Sequence, residues 1–130
     1  MTDKDLIKLA LEAREKAYVP YSNFKVGAAL LAKDGTVFTG CNVESASYSP
    51  TTCGERTALL KAVSEGYREF DTIAVVGSLE KISFPCGVCR QFLREFGLEI
   101  RVIVATSADN YQVRLLKDLL PDSFGPEDLV

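Results

Sequence analysis

The sequence predicts an α/β fold with three layers, α-β-α, around a mixed sheet of about five strands. Its 130 residues suit one compact domain over residues 1–130, which buries a real core without disulfides. Apolar segments of strand character alternate along the chain with amphipathic segments of helical period. A hairpin pattern precedes this alternation, which indicates a mixed sheet with helices on both faces.

The first half of the chain predicts the order α-β-β-α. "TDKDLIKLALEAREKAYV" has apolar residues at helical spacing, with Thr2 or Asp3 as the N-cap, and "PYSNF" ends this helix. "KVGAALLAKDGTVFTGCNV" predicts two strands joined by a turn at "KDG". After the loop "ESASYSP", a second helix is predicted from about Cys53 to Glu65. It ends before Gly66, which suits a left-handed position.

The second half continues the alternation as β-α-β-β-α. "DTIAVVGS" predicts a buried strand and "EKISFP" a loop. "CGVCRQFLREFG" predicts a third helix that closes at Gly97, and "EIRVIVAT" another apolar strand. "NYQVRLLKDLLPDSFGPEDLV" predicts a short strand, a short helix and a tail in which prolines prevent long regular structure. The sequence does not indicate the order of the strands in the sheet.

Composition and charge exclude several classes of partner. The net charge is −3, and no basic run is present, so we expect no binding to long nucleic acids. The apolar stretches are too short to span a bilayer, so no membrane partner is expected. The N-terminal segment begins with acidic residues and has no apolar core, unlike a signal peptide. These features predict a cytoplasmic protein.

Four cysteines and no histidine restrict the possible chemistry. Without histidine there is no Ser-His or Cys-His nucleophile and no histidine ligand for a metal. Any reaction must therefore depend on carboxylates, thiolates or a metal that they hold. In a reducing cytosol, four cysteines are more often metal ligands or free thiols than disulfides.

Three of the cysteines lie at predicted helix starts. Cys53 opens the second helix, and Cys86 and Cys89 open the third. The positive end of a helix stabilises thiolates, and the CxxC spacing lets both sulfurs reach one ion at about 2.3 Å. A thioredoxin-type redox pair shares this spacing, but it would leave Cys53 and the neighbouring "CGE" without a purpose.

The fourth cysteine, Cys41, determines which kind of metal site is expected. If it joined the other three, a closed structural zinc site would result. Cys41 lies at the end of an apolar strand, however, which favours a core position. Three protein ligands would then leave one tetrahedral position open to water, as in a catalytic zinc site.

Glu55, in "TTCGERTALL", has two interpretations. With Thr52 as N-cap and Glu55 at the third helical position, "TCGE" matches a capping box. Beside a metal, a glutamate in the first helical turn can instead take up and release protons. The absence of histidine and the cysteine pair in "PCGVC" favour the proton-transfer interpretation.

"CGE" and "PCGVC" closely resemble the signature of the zinc-dependent nucleoside and nucleobase deaminases. "PYSNFKVGAAL", "GCNVESASY", "CGERTAL", "PCGVCRQ" and "LLPDSFGPEDL" extend the resemblance over nearly the whole chain. Together they resemble the short, homotetrameric type of the cytidine deaminase family. The resemblance implies a cytidine deaminase-like fold, one Zn²⁺ per subunit, and a homotetramer whose pockets are shared between subunits.

The resemblance also implies a reaction. It is the hydrolytic deamination of free cytidine and 2′-deoxycytidine to uridine and 2′-deoxyuridine plus ammonia, in pyrimidine salvage. Cys53, Cys86 and Cys89 resemble the zinc ligands. Glu55 resembles the proton shuttle: it would deprotonate a zinc-bound water that attacks C4, then protonate N3 and the departing ammonia.

The segment after the second strand resembles the ribose-binding segment of the family. Asn42 and Glu44 would bind the sugar hydroxyls, which need both donors and acceptors, and Val43 would contribute its backbone. Without a ligand, the same side chains would form only a solvated strand end.

Other positions resemble residues that contact the base. Phe24 would face it, although a phenylalanine before an apolar strand more commonly packs in a core. Gly54 stands where the family usually has alanine, and the expected contact there is through the backbone. Phe124 resembles an aromatic residue lent by a neighbouring subunit, and Tyr48 is a weaker candidate for the same interface.

Charge counting points to one supporting residue. Zinc with three thiolates carries a net charge of −1, which opposes ionisation of a bound water. Arg56 is three residues after Cys53 on the same helix face. We expect Arg56 to donate hydrogen bonds to the ligand sulfurs and so to withdraw negative charge from them.

Two alternative functions remain open from the sequence. One is a deaminase of a modified cytosine nucleoside, such as an antibiotic of the blasticidin type, but the "NVE" segment and Phe24 match the pattern for an unmodified ribose. The other is a non-catalytic zinc-stabilised module, in which all four cysteines bind the metal and Glu55 only caps a helix.

Overall fold

A computed structural model describes residues 1–129. Its sheet has five strands in the spatial order β2-β1-β3-β4-β5. β3 and β4 are parallel, and the other neighbouring strands are antiparallel. The mixed five-stranded sheet is therefore confirmed. The strands are β1 (Gly27–Ala32), β2 (Val37–Cys41), β3 (Phe70–Val76), β4 (Arg101–Ser107) and β5 (Asn110–Leu115).

Across the described part of the chain, four α-helices and a 3₁₀ turn complete the fold, in the element order that the sequence predicts. Within residues 1–129, no helix combines the length and apolar character that crossing a bilayer requires. The helices are α1 (Asp3–Arg14), α2 (Gly54–Ser64), α3 (Gly87–Arg94) and α4 (Leu116–Leu119), and the 3₁₀ turn is Pro126–Asp128.

The sheet separates two cores, because successive residues of a strand point to opposite faces. On one face, Ala29, Ala74 and Ile103 pack with the buried side of α1. On the other face, Leu30 and Ile73 pack with α2 and α3. This arrangement gives the three layers.

Helix α1 begins as its sequence predicts. Thr2 is the N-cap: its hydroxyl accepts from the Asp5 amide at 3.1 Å, and the Asp5 carboxylate accepts from the Thr2 amide at 3.0 Å. Asp3 also forms two hydrogen bonds with Arg101, which ties α1 to β4. The helix ends at Arg14, earlier than its apolar pattern suggests, and Tyr18 then forms a bridge with Val43.

The predicted capping box at α2 is wrong. The N-cap is Cys53, which makes no side-chain capping bond, and the hydroxyl of Thr52 donates to the Pro50 carbonyl instead. The backbone of Thr52 is held extended because it pairs in both directions with Val43. The helix therefore starts one residue later than expected. Its end agrees with the prediction, since Gly66 has a φ of +96°.

Glycine allows α2 to lie directly against β2. A Cβ atom on Gly40 would be 2.5 Å from the Ala58 nitrogen and 2.7 Å from the Gly54 carbonyl oxygen. Both contacts are with backbone, so a side chain at this position would displace the helix. This contact between β2 and α2 fixes the position of the first turn of α2 at the end of the sheet. Cys53, which directly precedes that turn, is positioned with it.

Candidate metal centre and catalytic site

Three thiols meet where α2 and α3 begin. Cys53 is the N-cap of α2, Cys86 is the N-cap of α3, and Cys89 lies in the first turn of α3. The Sγ atoms of Cys53 and Cys86 are 3.7 Å apart, and those of Cys86 and Cys89 are 3.5 Å apart. All three sulfurs lie within 4.8 Å of one another.

These distances fit a tetrahedral zinc ion. Zinc–sulfur bonds of about 2.3 Å at tetrahedral angles put ligand sulfurs about 3.8 Å apart. In residues 1–129 the thiol cluster contains these three cysteines and does not include Cys41. Cys41 ends β2 and is half-buried, so the expectation of a core position is met only in part. The geometry thus supports a three-cysteine site and not a closed four-cysteine site.

Of the three cysteines, Cys53 is the one whose surroundings favour the thiolate form. Interaction with the Cys89 thiol, together with hydrogen bonds from Arg56 and Cys86, lowers the pKa of Cys53 to about 5. The same contact with Cys53, together with burial, raises the pKa of Cys89. The cluster therefore already stabilises a thiolate, which is the form that binds metals.

Glu55 is buried beside this cluster, with 4% of its surface exposed. Its Oε1 atom has no hydrogen-bond partner within the described chain. Burial is the main cause that raises the pKa of Glu55, and the nearby Cys53 thiolate adds to it. A buried carboxyl oxygen without a partner is costly for a purely structural residue, and it is suited to exchange a proton with a bound molecule.

A cavity of about 230 Å³ opens onto the thiols and Glu55. Phe24 forms one wall, with its ring packed against Gly77, where a Cβ atom would be 3.0 Å from Cζ. Phe24 as a residue is 46% exposed and so does not belong to the core. The cavity is lined by Phe24, Val26, Asn42, Cys53, Glu55, Val75, Gly77, Ser83, Phe84 and Cys86.

Asn42 reaches the cavity while it holds the neighbouring loop. Its Nδ2 donates to the Phe24 carbonyl at 2.8 Å, and its Oδ1 accepts from the Val26 amide at 2.9 Å. Both ends of the amide are therefore used within the chain, and 8% of the residue is exposed. The carbonyl oxygen has one further acceptor site for a ligand hydroxyl.

Glu44 lies in a second cavity, which is also lined by Tyr21, Ser22, Tyr48 and Thr51. Its Oε1 accepts from the amides of Tyr21 and Ser22, each at 3.1 Å, and its Oε2 accepts from the Ser22 hydroxyl. These hydrogen bonds, above all that from the Ser22 hydroxyl, lower the pKa of Glu44. A carboxylate has about four acceptor sites, so one remains for a ligand.

None of the other positions expected to contact substrate is among the residues that line the cavity. Gly54 is buried in the first turn of α2, where a Cβ atom would be 3.1 Å from the Val26 carbonyl oxygen. The amide and carbonyl of Val43 pair with Thr52, and its side chain lines a separate depression. Phe124, 60% exposed, is not among the residues that line the cavity. Tyr48 is 70% exposed and packs edge-on against Tyr21.

Two arginines follow the metal-binding motifs and behave differently. Arg56 Nη2 donates to Cys53 Sγ at 3.5 Å and to the Thr51 carbonyl at 3.3 Å. Arg90 instead donates to the carbonyls of Pro85 and Leu119, at 2.7 and 2.8 Å. Arg90 thus joins the loop before Cys86 to the end of α4.

Several cavity residues were not predicted from the sequence. Val75 and Gly77 lie at the carboxyl end of β3. This end of the strand can be recognised as part of a site only when the parallel pairing of β3 with β4 is known. Phe84 directly precedes "PCGVC", and this position next to a cysteine motif could have indicated that Phe84 lines the site. Ser83 carried no comparable signal.

Comparisons with known proteins agree with this geometry. Residues 1–106 match the family described as "Cytidine and deoxycytidylate deaminase zinc-binding region". The chain is 48% identical over 130 residues to a cytidine deaminase of Sporosarcina psychrophila, covering 99% of this chain and 96% of that protein. It is 50% identical over 125 residues to one from Halalkalibacterium halodurans, with 95% of each covered.

A solved structure is also similar. The crystal structure of cytidine deaminase from Burkholderia pseudomallei has a TM-score of 0.91 and 53% sequence identity. The match covers 95% of this chain and 100% of that one.

Proposed function

The chain belongs to the cytidine and deoxycytidylate deaminase family, and on this premise we propose that it deaminates free cytidine and 2′-deoxycytidine. One water is consumed and one ammonia released, and the products are uridine and 2′-deoxyuridine. The observation that carries the proposal is the unpartnered, buried Oε1 of Glu55 beside three thiols, in a cavity walled by Phe24.

Cys53, Cys86 and Cys89 would hold one Zn²⁺ per subunit. The bound ion would act as a Lewis acid, which lowers the pKa of water to about 7. Glu55 acts as a base when its carboxylate takes up each of the two water protons in turn, and as an acid when it delivers the first to N3 of the pyrimidine and the second to the amino group, which leaves as ammonia. Because burial raises the pKa of Glu55, its protonated form is accessible and can act as the acid in this second role.

The remaining cavity residues bind and orient the nucleoside. The exposed face of the Phe24 ring packs against the base. Asn42 and Glu44 each keep an acceptor site for a sugar hydroxyl, in addition to the hydrogen bonds that hold the loop. The backbone of Gly54, which lies close to the cavity residue Val26, would contact the base.

Two variants of Glu55 test this proposal. Cytidine deamination is followed by its loss of absorbance, with wild type, Glu55→Ala and Glu55→Gln loaded with zinc. We expect both variants to lose at least about a hundredfold in kcat, because neither side chain can transfer the proton. Zinc content, measured by elemental analysis, should stay at one ion per subunit. Full activity of Glu55→Ala would overturn the mechanism.

We further propose a homotetramer whose pockets are shared between subunits. Phe124 lies on an exposed apolar face with Val88 and Phe92, next to the start of α3. An aromatic residue on such a surface is suited to an interface between copies of the chain, where it can reach a neighbouring cavity. Sedimentation should give the mass of four chains.

A mixing experiment tests whether Phe124 acts in a neighbouring subunit. Phe124→Ala and Glu55→Ala are each expected to be poorly active. When the two are unfolded together and reassembled, intact Phe124 from one chain can complete a cavity with intact Glu55 in another. Recovered activity supports the shared pocket, and a mixture no more active than its components contradicts it.

The proposed reaction belongs to pyrimidine salvage, because it converts free nucleosides. We place it in the cytoplasm, where a reducing environment keeps the three ligand thiols free for zinc.

A further inference from the structure

The Ser22 hydroxyl joins two parts of the nucleoside site. It donates to Oε2 of Glu44 and accepts from the Phe24 amide, with an N–O distance of 3.0 Å. One hydroxyl therefore contacts both the carboxylate expected to bind the sugar and the main chain of the residue expected to face the base. Its donor and one of its acceptor sites are used in these two bonds.

The loop that contains Ser22 depends on these contacts for its shape. Ser22, Asn23 and Phe24 are exposed and belong to no helix or strand. Asn23 has a φ of +59°, a conformation that is unfavourable for most residues with a side chain. The amides of Tyr21 and Ser22 both donate to the Glu44 carboxylate, so the turn closes around that group.

The Ser22 hydroxyl adds a direct link between the two parts of the site. Asn42 already holds the main chain between Phe24 and Val26. The Ser22 hydroxyl is the contact that connects this held segment to Oε2, the Glu44 oxygen that retains an open acceptor site. Without it, Oε2 has no bond to the loop, and the carboxylate can rotate about the two amides on Oε1.

We propose that Ser22 is a positioning residue for nucleoside binding, which orients Glu44 toward the sugar and fixes Phe24 relative to it. The inference rests on the function proposed above. Ser22 does not touch Glu55 or the thiols, so it affects binding of the nucleoside and not the proton transfer. It therefore acts on KM and leaves kcat nearly unchanged.

Steady-state kinetics of Ser22→Ala test the proposal. We expect KM for cytidine to rise about three- to tenfold, the size of one lost hydrogen bond, with kcat within about twofold of wild type. Ser22→Thr keeps the hydroxyl at an exposed position and should restore KM. Ser64→Ala is the matched control: it removes an exposed serine hydroxyl that donates to the Lys61 carbonyl at 2.8 Å, and should leave KM unchanged.

Two further measurements test whether Ser22 affects nucleoside binding through the Glu44 carboxylate. With 2′,3′-dideoxycytidine, which lacks the 2′- and 3′-hydroxyls of the sugar, the effect of Ser22→Ala on KM should shrink. In a Glu44→Gln background the same substitution should also have less effect, because the two changes remove one connected contact. An unchanged KM in Ser22→Ala, an equal rise in Ser22→Thr, or full additivity with Glu44→Gln would overturn the proposal.

Hydrogen exchange separates this inference from the proposed function. Exchange of the Phe24 amide, measured without substrate, should be faster in Ser22→Ala than in wild type and restored in Ser22→Thr. If wild type does not deaminate cytidine, the proposed function fails while this structural link can still hold. If the exchange rates are equal, the link itself is wrong, whatever the enzyme's substrate.

Discussion

The guanidinium group of Arg56 lies against the thiol of Cys53, with Nη2 3.5 Å from Sγ. This contact puts a permanent positive charge beside three thiols which, as thiolates of the proposed zinc site, would carry one negative charge more than zinc can neutralise. The Nε atom of Arg56 is buried and has no partner within residues 1–129, so the side chain is not held there by a full set of other hydrogen bonds. Charge compensation accounts for its position.

Replacement of Arg56 by glutamine should therefore slow the reaction at neutral pH. Loss of the cation leaves more negative charge on the sulfurs, which makes water at the site harder to ionise. We expect the acidic limb of the pH–rate profile to move to higher pH and kcat at pH 7 to fall about tenfold for each unit of that movement. Arg68→Gln is the control, because Arg68 is exposed and donates to the carbonyls of Val63 and Tyr67, away from the cavity. An unchanged rate and acidic limb would contradict the role of Arg56.

Cys41→Ser should leave the metal site intact. Cys41 lies outside the thiol cluster, so the variant is expected to keep one zinc per subunit and near wild-type kcat. Cys89→Ser, by contrast, removes a buried thiol of the proposed zinc site and should lose most of the zinc. Elemental analysis after gel filtration measures both. Metal loss from Cys41→Ser would instead indicate a four-cysteine structural site.

Gly40→Ala should destabilise the fold and weaken the site together. The new methyl group would meet the Ala58 nitrogen and the Gly54 carbonyl, neither of which can move independently of α2. We expect a loss of about 1–3 kcal/mol in the free energy of unfolding, typical of overpacking. Zinc affinity should fall as well, because Cys53 directly precedes Gly54. Denaturant titration measures the free energy of unfolding, and competition with a chelator measures the zinc affinity. If neither quantity changes, α2 can shift without loss of stability and the prediction is wrong.

The ion pair between Asp3 and Arg101 should make stability depend on pH. Hydrogen bonds from Arg101, at 2.9 and 3.0 Å, lower the pKa of Asp3 below its usual 3.8. A carboxyl with a lowered folded pKa stabilises the protein above the unfolded value, and the contribution is lost as pH falls through the folded pKa. Asp3→Asn should therefore cost less than about 1 kcal/mol at pH 7, because both side chains are partly exposed.

The difference between wild type and Asp3→Asn should shrink as the pH falls below 3.8. Denaturant titrations at a series of pH values measure it. Asp109→Asn is the control, since Asp109 pairs with Lys4 while 89% exposed and should contribute nothing measurable. A difference that stays constant with pH would mean that Asp3 acts through helix propensity and not through its charge.

The element order and the cluster of three thiols could be predicted because both are encoded locally. Hydrophobic period identified the strands and helices, and the CxxC spacing with "CGE" identified Cys53, Cys86 and Cys89. The start of α2 was predicted wrongly because Thr52 pairs with Val43, a contact that is not visible in the local pattern. Local capping preference is outweighed there by two backbone hydrogen bonds.

The contacts within the substrate site could not be read from the sequence for a related reason. Asn42 and Glu44 were assigned to a ligand, but each also closes the loop around Phe24, which lies about twenty positions earlier. Such contacts depend on how the antiparallel strands β1 and β2 bring their ends together. The strand order itself follows from long-range packing, and residue patterns do not specify it.

The two helix starts that carry the thiols also have a meaning for folding. Cys53 and Cys86 are separated by 33 positions, and the chain between them includes α2 and β3. An ion held by both sulfurs would close this segment into a loop. In the unfolded chain this closure would cost conformational entropy, so the ion would bind the folded chain more tightly. Binding to the folded chain alone shifts the folding equilibrium by mass action. The amount of folded protein in a cell would then follow the supply of free zinc as well as the strength of the core.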